Sequence, residues 1–167
     1  MFSRINVSDY LFRLSIKLGD NTMTYWIASI TEDNWNIIKK IKVYASRKNI
    51  RNKIVKGDKV IVYVPKKKSV KLGGCIVGIL ELRSDIYYEE KPLFHDEKAL
   101  GKTLYPYRAK AEIICENRIP FKDLLHHLSF IVNKKKYMMY LQGNPANFGK
   151  PIPNVDAKII VNKLMRR

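Results

Sequence analysis

Val60-Ile61-Val62-Tyr63-Val64 is apolar at five successive positions, four of them β-branched. Such a run has no polar face to turn to water, so a strand made from it has to be covered on both sides. Lys56-Gly57-Asp58 before it and Pro65 after it bound it with turn residues, at a length that suits a strand and not a helix. Cys75 to Leu82, opened by Gly73-Gly74, and the run Tyr25 to Ile30 read the same way. Strands apolar on both faces need helices, or the sheet's own curl, on each side. The 167 residues provide for one domain of this kind.

The remaining elements fit that need. Thr31 is placed as an N-cap, and Glu32 and Asp33 sit in the first turn, where carboxylates complement the helix dipole. Trp35, Ile38 and Ile41 recur at helical spacing and predict a helix of about ten residues with Trp35 in the core. Val43-Tyr44-Ala45 leaves it as a short extended piece. From Tyr105 to Cys115 the pattern alternates, with Tyr107, Ala109, Ala111, Ile113 and Cys115 on one face and Arg108, Lys110 and Glu112 on the other. A short helix is expected after Pro120 through Leu124 and Leu125, and a last strand over Met138 to Leu141. The loop GNPANFGKPIP then leads to a C-terminal helix with Val155, Ile159, Ile160 and Leu164 inward. The fold class is therefore α+β, a small curved sheet or open barrel flanked by helices. Residues 1–22 differ from the rest and read as an N-terminal extension. They carry Tyr10, Leu11, Leu14 and Leu18 on one side of a short amphipathic segment that ends at Gly19-Asp20-Asn21. They are either an arm appended to the domain or a stretch ahead of a start at Met23; the domain proper is 23–167.

Charge narrows the partners. The chain carries 32 Lys and Arg against 15 Asp and Glu, a net charge of +17, which attracts phosphate polymers or anionic lipid. No run of about 18 apolar residues exists, so no bilayer span is expected, and the expected compartment is the cytoplasm. The basic residues are also clustered: Lys39 to Lys71 holds thirteen Lys and Arg against one acid, Asp58. A helix end, a loop and a lysine hairpin of one sign make a phosphate-tracking face. The plain alternative is a solvated lysine-rich surface.

Chemistry is less visible. There is no G-x-S-x-G, P-loop, G-x-G-x-x-G or H-E-x-x-H pattern. Cys75 lies in the apolar run CIVGIL and reads as an inert core thiol; Cys75 and Cys115 form no C-x-x-C pair. The adjacent His126 and His127 point different ways on any regular element, which argues against a shared metal. The acidic stretch Glu81 to Glu97, with Asp85, Asp96 and His95, has no ligand-like spacing. No enzyme activity, metal or cofactor is expected.

The motif order resembles a family. Tyr25-Trp26-Ile27, Thr31-Glu32-Asp33-Asn34-Trp35, Val43-Tyr44-Ala45-Ser46 and Val55-Lys56-Gly57-Asp58 look like an EVE domain, as do Tyr105-Pro106-Tyr107-Arg108 and Phe130-Ile131-Val132-Asn133-Lys134-Lys135. The likeness runs from Met23 to about Leu164. EVE domains belong to the PUA-like group, which also holds the YTH readers of methylated adenine. The resemblance implies a PUA-like open β-barrel, a pseudo-barrel of five or six strands with flanking helices. It also implies binding without catalysis: a pocket takes a flipped base, modified or not, while a basic surface holds the backbone.

Carried over residue by residue, Tyr44 is similar in position to the cage aromatic after the first helix, usually Trp in the relatives, its plain alternative being a buried strand aromatic. Ala45 and Ser46 follow, where the relatives read the base edge with backbone groups. Asn34 matches a helix-borne Asn that bonds the base in the YTH relatives, its plain alternative being a local first-turn bond. Ser29 stands beside it at the strand end, and Ile30 occupies a position where some relatives carry a second Asn. The other pocket wall is expected from Tyr87 to Phe94 or from Met139-Tyr140, which names Phe94 and Tyr140. Lys48, Arg51, Lys53, Lys66, Lys67 and Lys68 are expected on phosphates, with Arg108 contributing from the barrel wall. RNA and DNA both remain open as the partner. The rival readings are a pocketless basic RNA-binding accessory protein, an enzyme on a nucleotide or modified nucleic acid using Asp85 to Glu97 and His95, and a module for an acidic protein.

Overall fold

The computed structural model describes residues 23–166; the expected extension over residues 1–22 lies outside them. Six strands form one curled sheet: β1 (Tyr25–Ser29), β2 (Val43–Ser46), β3 (Lys59–Val64), β4 (Cys75–Leu82), β5 (Tyr87–Tyr88) and β6 (Tyr107–Pro120). Among the described residues three α-helices accompany it, α1 (Glu32–Ile41), α2 (His95–Leu100) and α3 (Asn154–Met165), with short 3-10 segments between β6 and α3. The strand order is β1-β3-β4-β6-β2, and β5 also pairs with β6. Only the β1–β3 pair is parallel. The 14-residue β6 pairs with β4 along its later part and with β2 and β5 at its start. One long strand shared in this way curls the sheet into the expected pseudo-barrel.

Period-two alternation splits the apolar strands between two cores. Tyr25, Ile27, Ile61 and Tyr63 pack with Phe121, Leu128, Ile131 and the buried face of α3. Trp26, Ala28, Val60, Val62 and Val64 pack with Trp35 and Ile38 of α1 and with Tyr44 and Phe94. Thr31 caps α1 as expected, its side chain accepting from Asn34 N, and Lys42 ends the helix in the left-handed region. Where α1 crosses β4 the fit is close. A Cβ on Gly78 would lie 2.6 Å from the Cys115 carbonyl oxygen and 3.1 Å from the Trp35 ring. Gly78→Ala is therefore expected to lower stability by about 1–3 kcal/mol, the range for overpacking a closed core. A urea titration that left the midpoint unchanged would refute this contact.

Three local expectations fail. The β6 alternation breaks because its register with β4 slips between Ile79–Cys115 and Leu80–Ile113. The extra residue, Ile114, turns into the first core; ahead of the slip, Arg108 is fully buried instead of facing solvent, because β5 and the segment after it cover its face. Met138 to Leu141 is not a strand but the end of a 3-10 segment, Lys134–Leu141, capped by Asn133 and carrying Tyr137, which stacks on Phe121 at 5.8 Å. In α3, Val155 is exposed while Asp156 is buried. The Asp156 carboxylate accepts from Ser129 N, Ser129 Oγ and Phe130 N, and that bonding sets the helix's rotation.

Candidate functional site

The parallel strands β1 and β3 end side by side, with Ile30 N donating to the Tyr63 carbonyl at 2.9 Å. Beyond that end the chain turns through Thr31 into α1, and a cavity of about 290 Å³ opens there. That is the low end of small-molecule sites, which span roughly 300–1,000 Å³. Ser29, Ile30, Thr31, Asn34 and Ile38 form one side. Ala45 of β2, with Arg47 and Lys48 just after it, forms another. Phe94 and Tyr105 supply an aromatic corner, their rings edge to face at 5.4 Å, and Gly143 and Asn144 close the rest.

The loop carrying Gly143 and Asn144 is held to both neighbouring strands. Ser29 N donates to the Gly143 carbonyl at 2.9 Å and Ala146 N to the Ile27 carbonyl at 2.6 Å. Asn144 Nδ2 donates to the Ala45 carbonyl at 2.9 Å, and Ser46 Oγ donates to the Asn144 carbonyl at 3.0 Å. Tyr44 Oη donates to Asn144 Oδ1. The Asn144 carboxamide therefore has a fixed orientation at the pocket wall. By contrast, the Ser29 hydroxyl and the Asn34 carboxamide make no hydrogen bond with the described residues and are free to address a ligand.

The aromatic corner is organised from behind by Glu97, which is fully buried. Its carboxylate accepts from Leu93 N and Phe94 N at 2.7 and 3.0 Å and from Leu104 N and Tyr105 N, both at 2.9 Å. Burial opposes its charge, yet the backbone donors prevail and hold its carboxyl below the ordinary value. Arg108 lies against it. Its guanidinium donates to the Tyr105 carbonyl at 2.9 Å, to Glu89 Oε2 at 3.0 Å, to the Lys91 carbonyl and, at 3.5 Å, to Glu97 Oε1. The Tyr105 hydroxyl donates to Asp96 Oδ2 at 2.5 Å, and the Arg47 guanidinium covers the ring at 5.3 Å from its centroid. Burial, then the bond to Asp96, raises the Tyr105 hydroxyl's pKa.

Of the residues named from sequence, Ser29, Asn34, Ala45, Phe94 and Lys48 border the cavity. Tyr44 does not: its ring is fully buried and offers no face to a ligand, and desolvation raises its hydroxyl's pKa. It stands behind the wall and orients Asn144. Ser46, also fully buried, does the same through its hydroxyl. Tyr140 packs edge-on between Phe130 and Phe148, away from the cavity. Arg108 has no exposed surface for a phosphate, because its three nitrogens are spent within the fold. Arg51, Lys53, Lys66, Lys67 and Lys68 are exposed. The lysine hairpin is tied to α1 by Glu32, whose carboxylate accepts from Val70 N, Lys71 N and Leu72 N.

Tyr105, Arg47, Gly143 and Asn144 were missed. The Asn/Gly/Pro content of the late loop was the available signal, but nothing local tied it to residues about a hundred positions earlier. The residues of the catalytic alternative are each engaged by a different partner. His95 Nδ1 pairs with Asp33 at 3.0 Å, Asp96 serves Tyr105, and Asp85 accepts from Lys56 N at 2.9 Å. Among the described residues no three metal-ligating side chains come together, and no helix is long and apolar enough to cross a membrane.

Comparison with known proteins bears on the same region. The EVE domain model matches residues 20–163. A UPF0310 protein of Saccharolobus solfataricus is 37% identical over 138 residues, covering 83% of this chain and 93% of its own length. A UPF0310 protein of Pyrococcus horikoshii is 35% identical over 149 residues, covering 86% and 100%. Among solved structures, the mmi1 YTH domain in its RNA complex superposes with a TM-score of 0.58 at 13% identity, over 85% of this chain and 81% of that one. The YTH domain of the Zygosaccharomyces rouxii MRB1 protein, in complex with N6-methyladenosine RNA, gives 0.55 at 14% identity over 87% and 89%.

Proposed function

The chain belongs to the EVE domain family, and from that premise we propose that it is a non-catalytic nucleic-acid-binding module that receives one unstacked base in the cavity between α1, β2 and the Gly143-Asn144 loop. The observation that carries this reading is the cavity's division of labour. Two uncommitted polar side chains, Ser29 and Asn34, face an aromatic corner, two cations border the opening, and among the described residues no carboxylate lines it. An extruded base needs a π-face to stack on and a few fixed donors and acceptors along its edge. Tyr105 supplies the first, backed edge to face by the buried Phe94. Asn34, Ser29 and the oriented Asn144 supply the second. Lys48, Arg51, Lys53 and the Lys66 to Lys68 hairpin hold the phosphates, which adds affinity without discrimination. The RNA complexes of the YTH domains that share this fold support the assignment.

The test is fluorescence anisotropy with short single-stranded RNA and DNA, each with a central A, C, G, U or T, or N6-methyladenine, at two salt concentrations. A base preference that persists at the higher salt is expected. Asn34→Ala should weaken binding of the preferred base about 3- to 10-fold, the worth of one net hydrogen bond, without lowering the melting temperature, since the Asn34 side chain bonds nothing in the fold. Binding that falls with salt and shows no base preference would leave only the phosphate-holding surface and overturn the pocket.

A further inference from the structure

A second depression of about 510 Å³ adjoins the cavity and shares Lys48 and Gly143 with it. Its other walls include Lys53, Gln142, Phe148 and Gly149. Phe148 is the unusual member. Its backbone is left-handed, φ 55° and ψ 30°, a conformation that a bulky side chain adopts only at a cost. Asn147 before it is also at positive φ. Nothing in the core repays that cost, because Phe148 is 61% exposed. The ring is held in place by an edge-on contact with Tyr140, centroids 5.4 Å apart. Beside it, the Lys53 ammonium lies 3.0 Å from where a Cβ on Gly149 would stand. Among the described residues no carboxylate lines the depression.

We propose that this groove seats the nucleotide next to the inserted base, with Phe148 as its stacking platform and Lys48 and Lys53 on the phosphates that link the two. The proposal rests on the base-pocket reading and extends it from one nucleotide to two. Continuity carries it: a strand leaving the cavity past Lys48 and Gly143 enters the groove directly. An exposed aromatic ring in a groove lined by two lysines is what a neighbouring base needs, since stacking tolerates any base while lysines follow the backbone. A strained loop that presents such a ring rigidly lowers the ordering cost of binding.

The experiment uses the full chain and two kinds of probe. The first is the set of four ribonucleoside 5′-monophosphates with N6-methyladenosine 5′-monophosphate. The second is the RNA trinucleotide with uridine on each side of the preferred base, together with versions in which one or the other uridine is abasic. Phe148→Ala is expected to weaken the trinucleotide about 5- to 100-fold, the range for loss of one stacked base, and to leave the monophosphate unchanged. Removing the base at one flank should cost the wild type a similar factor and cost F148A nothing further. Phe148→Trp should restore binding, and matching thermal melts confirm that the loop is intact. Equal affinity of wild type and F148A for the trinucleotide overturns the groove while leaving the pocket untouched. So does an equal loss on monophosphate and trinucleotide, which would make Phe148 a support of the cavity. If trinucleotides show no preference for the central base, the pocket reading fails instead, and the F148A and abasic results still decide the groove.

Discussion

Glu97→Ala is expected to lower the free energy of unfolding by about 3–5 kcal/mol, the range for removing one partner of a buried ionic cluster. The substitution leaves four backbone N–H donors without their acceptor and takes one carboxylate from beside the Arg108 guanidinium, and orphaned buried donors are costly. These donors belong to the two ends of the segment that presents Phe94 and Tyr105. A variant still folded at low temperature should therefore lose ligand binding as well as stability. The pH dependence has a definite sign. The folded-state carboxyl is held below its ordinary value of 4.5. Its stabilisation is then fully present above pH 4.5 and disappears as pH falls through the lower folded value. Glu97→Gln removes the titrating group, so its unfolding midpoint should vary less with pH in that acid window than the wild type's. Denaturant titrations at several acid pH values measure both effects. A wild-type stability no larger than that of Glu97→Ala would refute the role given to this carboxylate.

Tyr44 separates support from contact. Tyr44→Ala should cost about 3–5 kcal/mol, as truncation of a fully buried aromatic does, and much of the protein would unfold on mild heating. Loss of binding in that variant would therefore not identify a cage residue. Tyr44→Phe decides. It keeps the ring and removes only the hydroxyl that holds Asn144 Oδ1, at about 1–3 kcal/mol for an acceptor left without its donor. The expected result is a folded protein with weaker selection among bases but an unchanged slope of affinity against salt, because no phosphate contact is touched. A direct stacking role predicts the opposite pattern, with Tyr44→Phe indistinguishable from wild type in selection.

Much of the frame was legible along the chain because it depends on neighbours. Thr31, the carboxylates after it and the spacing of Trp35 and Ile38 define α1 within one stretch of sequence. The apolar runs Val60 to Val64 of β3 and Cys75 to Leu80 of β4 required cover on both faces, and the curled sheet provides two cores. Ser29, Asn34 and Ala45 reach the cavity because they sit at the ends of these locally defined elements. Arg108 and Tyr140 went elsewhere for reasons that no window of sequence contains. Arg108 keeps its place on the face opposite Tyr107, Ala109 and Ala111, but β5 and the segment from Glu89 to Glu97 cover that face, and Glu97 and Glu89 give its charge a partner inside.

The same division holds for the site as a whole. The +17 charge, clustered between Lys39 and Lys71, was set by composition alone, since charge follows residue count whatever the fold. Which residues face the cavity was decided by closure of the chain. Asn144 meets Ala45, Ser46 and Tyr44 across 98 to 100 positions, and Glu97 joins two strands of a loop through backbone donors that carry no residue signature. Local propensity is short-ranged and can be read in order. Burial, register and long-range hydrogen bonding exist only once the sheet has curled, and they turned the expected cage tyrosine into a buried support for Asn144.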